Sequence, residues 1–66
     1  MSTRLNPVNL IGKLLSDARE KYPDLDFHIA VLDGVTQQGP GNLSRNRMNV
    51  AIQDGVIIGA FYDYTF

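Results

Sequence analysis

Apolar residues in this chain fall into one helical pattern and three strand-like runs. Val8, Ile11, Leu15, Ala18 and Tyr22 follow one another at steps of three and four, with Leu14 beside them, which places them on one face of a helix. Lys13, Ser16, Asp17, Arg19, Glu20 and Lys21 fall mostly on the opposite side. Asn6-Pro7 is a start signal, with Asn as cap and Pro at the first helical position. Gly12 interrupts the pattern at a cost of about 1 kcal/mol relative to Ala. Two arrangements stay open: one helix from Pro7, or a turn followed by a helix that begins after Gly12. Pro23 ends the element, because it pushes Tyr22 out of the α region.

Asp24-Leu25-Asp26 leads into Phe27–Leu32, a nearly continuous apolar run that reads as a central strand. A second strand, Arg47 to Gln53, alternates: Met48, Val50 and Ile52 share one face, Arg47, Asn49 and Ala51 the other. Asp54-Gly55 then joins it to Val56–Tyr62 by a tight hairpin, with Gly59 a candidate bulge. Between the first two strands lies Asp33–Asn46, a long stretch with no helical period whose large apolar side chains are Val35 and Leu43. A connection of this length accommodates a crossover between parallel neighbours, and long unstructured loops in small domains usually carry function. The expected fold is α+β: one helix on a small three-stranded mixed sheet, with the long exposed loop between two parallel strands.

Composition narrows the functions. Sixty-six residues make a single domain, residues 1–66, with 1–5 read as a flexible tail. The absence of cysteine excludes disulfides and thiolate chemistry. Hydrophobic content of 44% fits a folded globular chain. A net charge of −1 with scattered Lys and Arg argues against nucleic acid as partner. No apolar run approaches the ~18 residues of a membrane span, and the first residues lack the apolar core of a signal peptide. The chain as given reads as soluble, either intracellular or secreted after signal removal.

Little points to catalysis. The one histidine, His28, lies mid-strand, and neither Ser16 nor Ser44 sits in a Gly-x-Ser-x-Gly elbow. Gly34, Gly39 and Gly41 lack the Gly-Lys-Ser/Thr ending of a phosphate cradle. Asp24, Asp26 and His28 alternate and would share a strand face, but a solvated strand start accounts for them better than a metal site. No enzyme activity, cofactor or metal is expected. Phe61, Tyr62, Tyr64 and Phe66 form an aromatic end, read equally as a cover for the helix and as a partner or self-association surface. Arg45 and Arg47 close the long loop; guanidinium groups beneath such a loop can donate to its carbonyls and fix its shape.

Three stretches carry a resemblance to a known family. They are Leu10-Ile11-Gly12-Lys13 with Ala18 following, Asp33-Gly34-Val35-Thr36, and Asn46-Arg47-Met48-Asn49-Val50. In order and spacing the chain resembles the potato inhibitor I family of serine protease inhibitors, including its short microbial relatives. Asn46 stands where the family usually has Asp. Gln38 replaces an acidic residue that pairs with the supporting arginines, and the Gly39-Pro40-Gly41 region adds length.

The resemblance implies a reversible, substrate-like inhibitor that acts on a subtilisin- or chymotrypsin-like protease through loop 33–46. Its contact residues would be Val35, Thr36, Gln37, Gln38 and Leu43, with Val35 pinning the loop base in the core and Arg45 and Arg47 bracing from below. Counting from Thr36 places Gln37 at the primary specificity position. Counting back from Arg47 places Gly41 near the scissile bond, with Leu43 the large apolar side chain in that half. A non-inhibitory interaction module on the same fold, or a homo-oligomer through Phe61–Phe66, are the alternatives.

Overall fold

The computed structural model describes residues 5–39 and 41–63. Asn6 caps a 3-10 turn, Pro7–Leu10: its Oδ1 accepts the Val8 N–H at 3.2 Å, and Pro7 takes the first helical position. Gly12 then adopts φ +90°, a conformation open to glycine and costly for other residues, and the helix α1 begins only at Leu15, ending at Lys21. Tyr22, at φ −124° and ψ 68°, has left the α region before Pro23. The turn-then-helix arrangement is the one realised.

That break changes which residues face inward. The single helical face expected through Val8, Ile11 and Leu14 does not form; all three are exposed, and Leu10 is fully buried instead. Leu15, Ala18 and Tyr22 keep their core positions. A 3-10 turn and a left-handed residue advance the chain out of α-helical phase, so a 3.6-residue period cannot be carried across them.

The sheet has four strands, β1 (Asp26–Leu32), β2 (Val35–Thr36), β3 (Arg47–Gln53) and β4 (Val56–Tyr62), in the order β2-β1-β3-β4. β1 runs parallel to β3, and the β3–β4 hairpin is antiparallel. The sheet is thus one strand larger than the three expected. The extra strand, β2, turns back on β1 through Asp33-Gly34, with Leu32 opposite Val35 and Val31 opposite Thr36. Asp33-Gly34 and Asp54-Gly55 are the same turn used twice: φ is 48° and 84° in the first, 53° and 81° in the second. Positive φ at both central residues gives the twist that matches a hairpin's strands. The two turns are joined side by side, since Asp33 Oδ1 accepts the Asp54 N–H at 2.9 Å.

One sheet face packs on α1 and the 3-10 turn. Its core is Leu10, Ala18, Met48, Val50, Ile52 and Ile57, flanked by Phe27, Ile29, Leu25 and Tyr62. Residues 12–14 lie along the edge of β4: Gly12 N–H donates to the Ile57 carbonyl and Ile57 N–H to the Lys13 carbonyl, so that part of the edge is closed to other chains. Leu5, expected in a flexible tail, packs on the core, and its carbonyl accepts the Tyr62 hydroxyl at 2.8 Å. Met1 to Arg4 lie outside the described residues.

Candidate functional site: a loop clamped to the open sheet face

β2 divides the long connection into two parts. Val35 and Thr36 belong to the sheet edge, and the Gln37 N–H continues the pairing with a bond to the Ala30 carbonyl at 2.8 Å. The Gln37 side chain folds back on the Val35 carbonyl at 3.1 Å. Val35 is 61% exposed, which corrects the expectation that it pins the loop base in the core. On a two-residue edge strand its side chain has no second layer to enter. Beyond Gln38, Gly39 lies over His28, and Asn42 and Ser44 lie over Arg47 and Asp63, on the sheet face opposite α1. Pro40, at the centre of the glycine-rich stretch, lies outside the described residues.

Beneath this segment the sheet carries polar groups. Arg47 and Asn49 are only 8% and 6% exposed, so their polar atoms need partners within the protein. Arg47 Nη1 donates to the Asn42 carbonyl at 2.7 Å and to Asp63 Oδ2 at 2.9 Å. The Ser44 N–H donates to that same Oδ2 at 3.0 Å. Asn49 Nδ2 donates to Asp63 Oδ1. Asn42 and Ser44, the residues on either side of Leu43, are therefore tied to one buried ion pair. Arg47 Nε also lies 3.7 Å from Asp26, a carboxylate in open solvent that adds little to the pairing.

Asp63 is the centre of this network, and its carboxyl is held below the ordinary aspartate range. The Asn49 side-chain bond is the main cause, helped by the Ser44 N–H and the Arg47 charge, against the opposing effect of burial. A one-residue bulge in β4 brings it there. Gln53 faces Val56 and Ile52 faces Ile57, but Ala51 faces Gly59, leaving Ile58 as the extra residue. From that point Met48 faces Tyr62, which sets Asp63 across from Arg47. Without the bulge Arg47 would meet Tyr62.

The expected contact residues take different places. Thr36 and Gln38 are exposed, Gln37 is half-buried, and Leu43 projects from the far limb of the loop at 63% exposure. Leu43 lines an open hollow of about 340 Å³ together with His28, Asn49 and Phe61. Phe61, expected among other readings to cover the helix, faces away from it and is exposed, while Tyr62 turns to the core. Tyr64 and Phe66 lie outside the described residues. Arg47 sits under the loop, whereas Arg45 lines a separate depression with Leu5, Tyr22 and Tyr62. Asp26 points to Arg47 and His28 lies below Gly39, and among the described residues no group of three His or carboxylate side chains is placed to hold a metal. Among the described residues no helix is long and apolar enough to cross a membrane.

Sequence reasoning found Arg47 but missed Asp63, Asn49, Asn42 and Ser44. The bulge that decides which residue faces Arg47 falls at Ile58, one residue before the Gly59 expected from the sequence, and the sequence carries no separate signal for the other three. No protein-family model matches the chain, and no curated protein or solved structure is significantly similar to it.

Proposed function

We propose that the chain is a reversible, substrate-like inhibitor of a serine protease and that the segment from Gln38 to Ser44 is its binding loop. One observation carries the reading: the carbonyl of Asn42 and the N–H of Ser44 are both held by the Arg47–Asp63 pair on the sheet. A free peptide of this composition would lose on the order of 1 kcal/mol per residue in backbone freedom when it entered a protease cleft. A loop clamped on the scaffold before binding has already lost much of that freedom, so more of the contact energy appears as affinity. The parallel strands β1 and β3 at the two ends of the whole connection Asp33–Asn46, and the likeness of Asp33–Thr36 and Asn46–Val50 to the potato inhibitor I pattern, support the same reading.

Titration against subtilisin- and chymotrypsin-like enzymes tests it. Saturable inhibition with the loop largely intact supports the proposal, and no inhibition at micromolar protein removes it.

A second reading is favoured by Leu43 and Phe61, two exposed apolar side chains on one hollow. They would form the centre of a non-inhibitory interaction surface, for another protein or for a second copy of the chain. Light scattering separates these cases: a concentration-dependent dimer abolished by Phe61→Ser, with no protease inhibition, selects self-association.

A further inference from the structure

We propose that Leu43 is the side chain offered to the protease's primary specificity pocket, and that Leu43–Ser44 is the bond presented for attack. This rests on the inhibitor reading above and locates its reactive site. Three residues compete for the role. Gln37 is committed to the sheet, its N–H bonded to Ala30 and its side chain to the Val35 carbonyl, so a protease would first have to strip it from β1. Gly41 has no side chain with which to fill a pocket. Leu43 is large, apolar and 63% exposed, and among the described residues its own N–H and carbonyl have no hydrogen-bond partner.

The pattern of bonds around Leu43 fits substrate-like docking. In an extended chain successive residues turn their backbone groups to opposite sides, so a chain pairing with a cleft uses alternate residues. Asn42 and Ser44 turn theirs inward, to Arg47 and Asp63. Leu43, between them, is left for the enzyme. The scaffold bonds and the protease bonds then use different residues, and neither set has to break for the other to form.

The same anchors act after attack. The enzyme's serine oxygen bonds to the Leu43 carbonyl carbon, the C–N bond to Ser44 breaks, and the serine proton passes through the enzyme's base to the Ser44 nitrogen. The products are an ester at Leu43 and an amine at Ser44. Asp63 holds that amine and Arg47 holds the Asn42 carbonyl, while Arg47 and Asp63 are bound to each other. The amine therefore stays beside the ester and attacks it, reforming the peptide bond and returning the proton, faster than it diffuses away.

A specificity swap tests the assignment. Wild-type protein and the variants Leu43→Lys and Gln37→Lys are titrated against a subtilisin-like, a chymotrypsin-like and a trypsin-like protease, and any slow cut is located by mass spectrometry. Leu43→Lys is expected to lose about 100-fold or more against enzymes with apolar pockets and to become an inhibitor of the trypsin-like enzyme, whose pocket carries an aspartate. Gln37→Lys is expected to gain no trypsin inhibition, and the cut is expected after Leu43. If the wild type inhibits but Gln37→Lys, not Leu43→Lys, acquires trypsin inhibition, or the cut maps elsewhere, the bond assignment is overturned and the inhibitor reading stands. If none of the three proteins inhibits any enzyme, both fall.

Discussion

Arg47 Nη1 and Asp63 Oδ2 lie 2.9 Å apart, and each also holds one backbone group of the loop above them. The pair joins β3 to the end of β4 and fastens Asn42 and Ser44 to that junction. A buried ion pair by itself is weak evidence of stability, because desolvation offsets much of its attraction. Its value here is positional. It holds Asn42 and Ser44 in place in a loop that has few apolar side chains of its own with which to pack.

Arg47→Ala would leave the Asn42 carbonyl without its donor and the buried Asp63 carboxylate without its counter-charge, held only by the Asn49 and Ser44 N–H groups. We expect a loss of about 2–4 kcal/mol, which for a domain of this size is a melting temperature lower by roughly 10–20 °C. Asp26→Ala, at the exposed and longer contact, is expected to change stability by less than about 0.5 kcal/mol. Thermal melts of the two variants, followed by circular dichroism, check the contrast.

The Asp63 carboxyl sits below the ordinary aspartate range in the folded protein. A depressed folded-state pKa adds stability that is fully present above the unfolded value, about 3.9, and is lost as pH falls from there through the folded value. Protection of the Ser44 amide from hydrogen exchange should therefore persist down to about pH 4 and decline below it. In Asp63→Asn that acid limb should flatten. A limb of the same steepness in the variant would assign the titration to another group.

Much of the fold is legible from local pattern, and the failures have particular causes. β3 alternates over its whole length, and Asp54-Gly55 stands between two apolar runs, so the hairpin is unambiguous. Asp33-Gly34 is the same turn, but only Val35-Thr36 stands between it and Gln37-Gln38. That run is too short to show alternation, and β2 escapes notice. Val8, Ile11 and Leu14 fit a helical period that the left-handed Gly12 breaks. The clamp is hardest to read. Arg47 signals itself as a cation near a loop, but its partner is separated from it by a hairpin and shifted by the bulge at Ile58. A single unmatched residue decides whether Arg47 faces Tyr62 or Asp63.

Glycines in and around the loop should respond to substitution in opposite directions. Gly34, at φ +84°, forces strain on any other residue, and Gly34→Ala is expected to cost about 1–2 kcal/mol. Gly41 has no such φ, and a Cβ there meets nothing within 4 Å. Gly41→Ala should stabilise by about 0.5 kcal/mol, by restricting the unfolded chain. Denaturant titrations of both variants with unchanged m-values would show that the native fold is retained.

If Gln38–Ser44 is shaped before binding, a protease should grip it as a substrate and release it uncut. Equilibrium titration of the wild-type protein against subtilisin- and chymotrypsin-like enzymes tests this, with the bound protein then recovered and weighed by mass spectrometry. Stoichiometric inhibition is expected, with mostly uncut chain recovered after long incubation. Rapid cleavage without inhibition, or enzymes unaffected at micromolar protein, would contradict it.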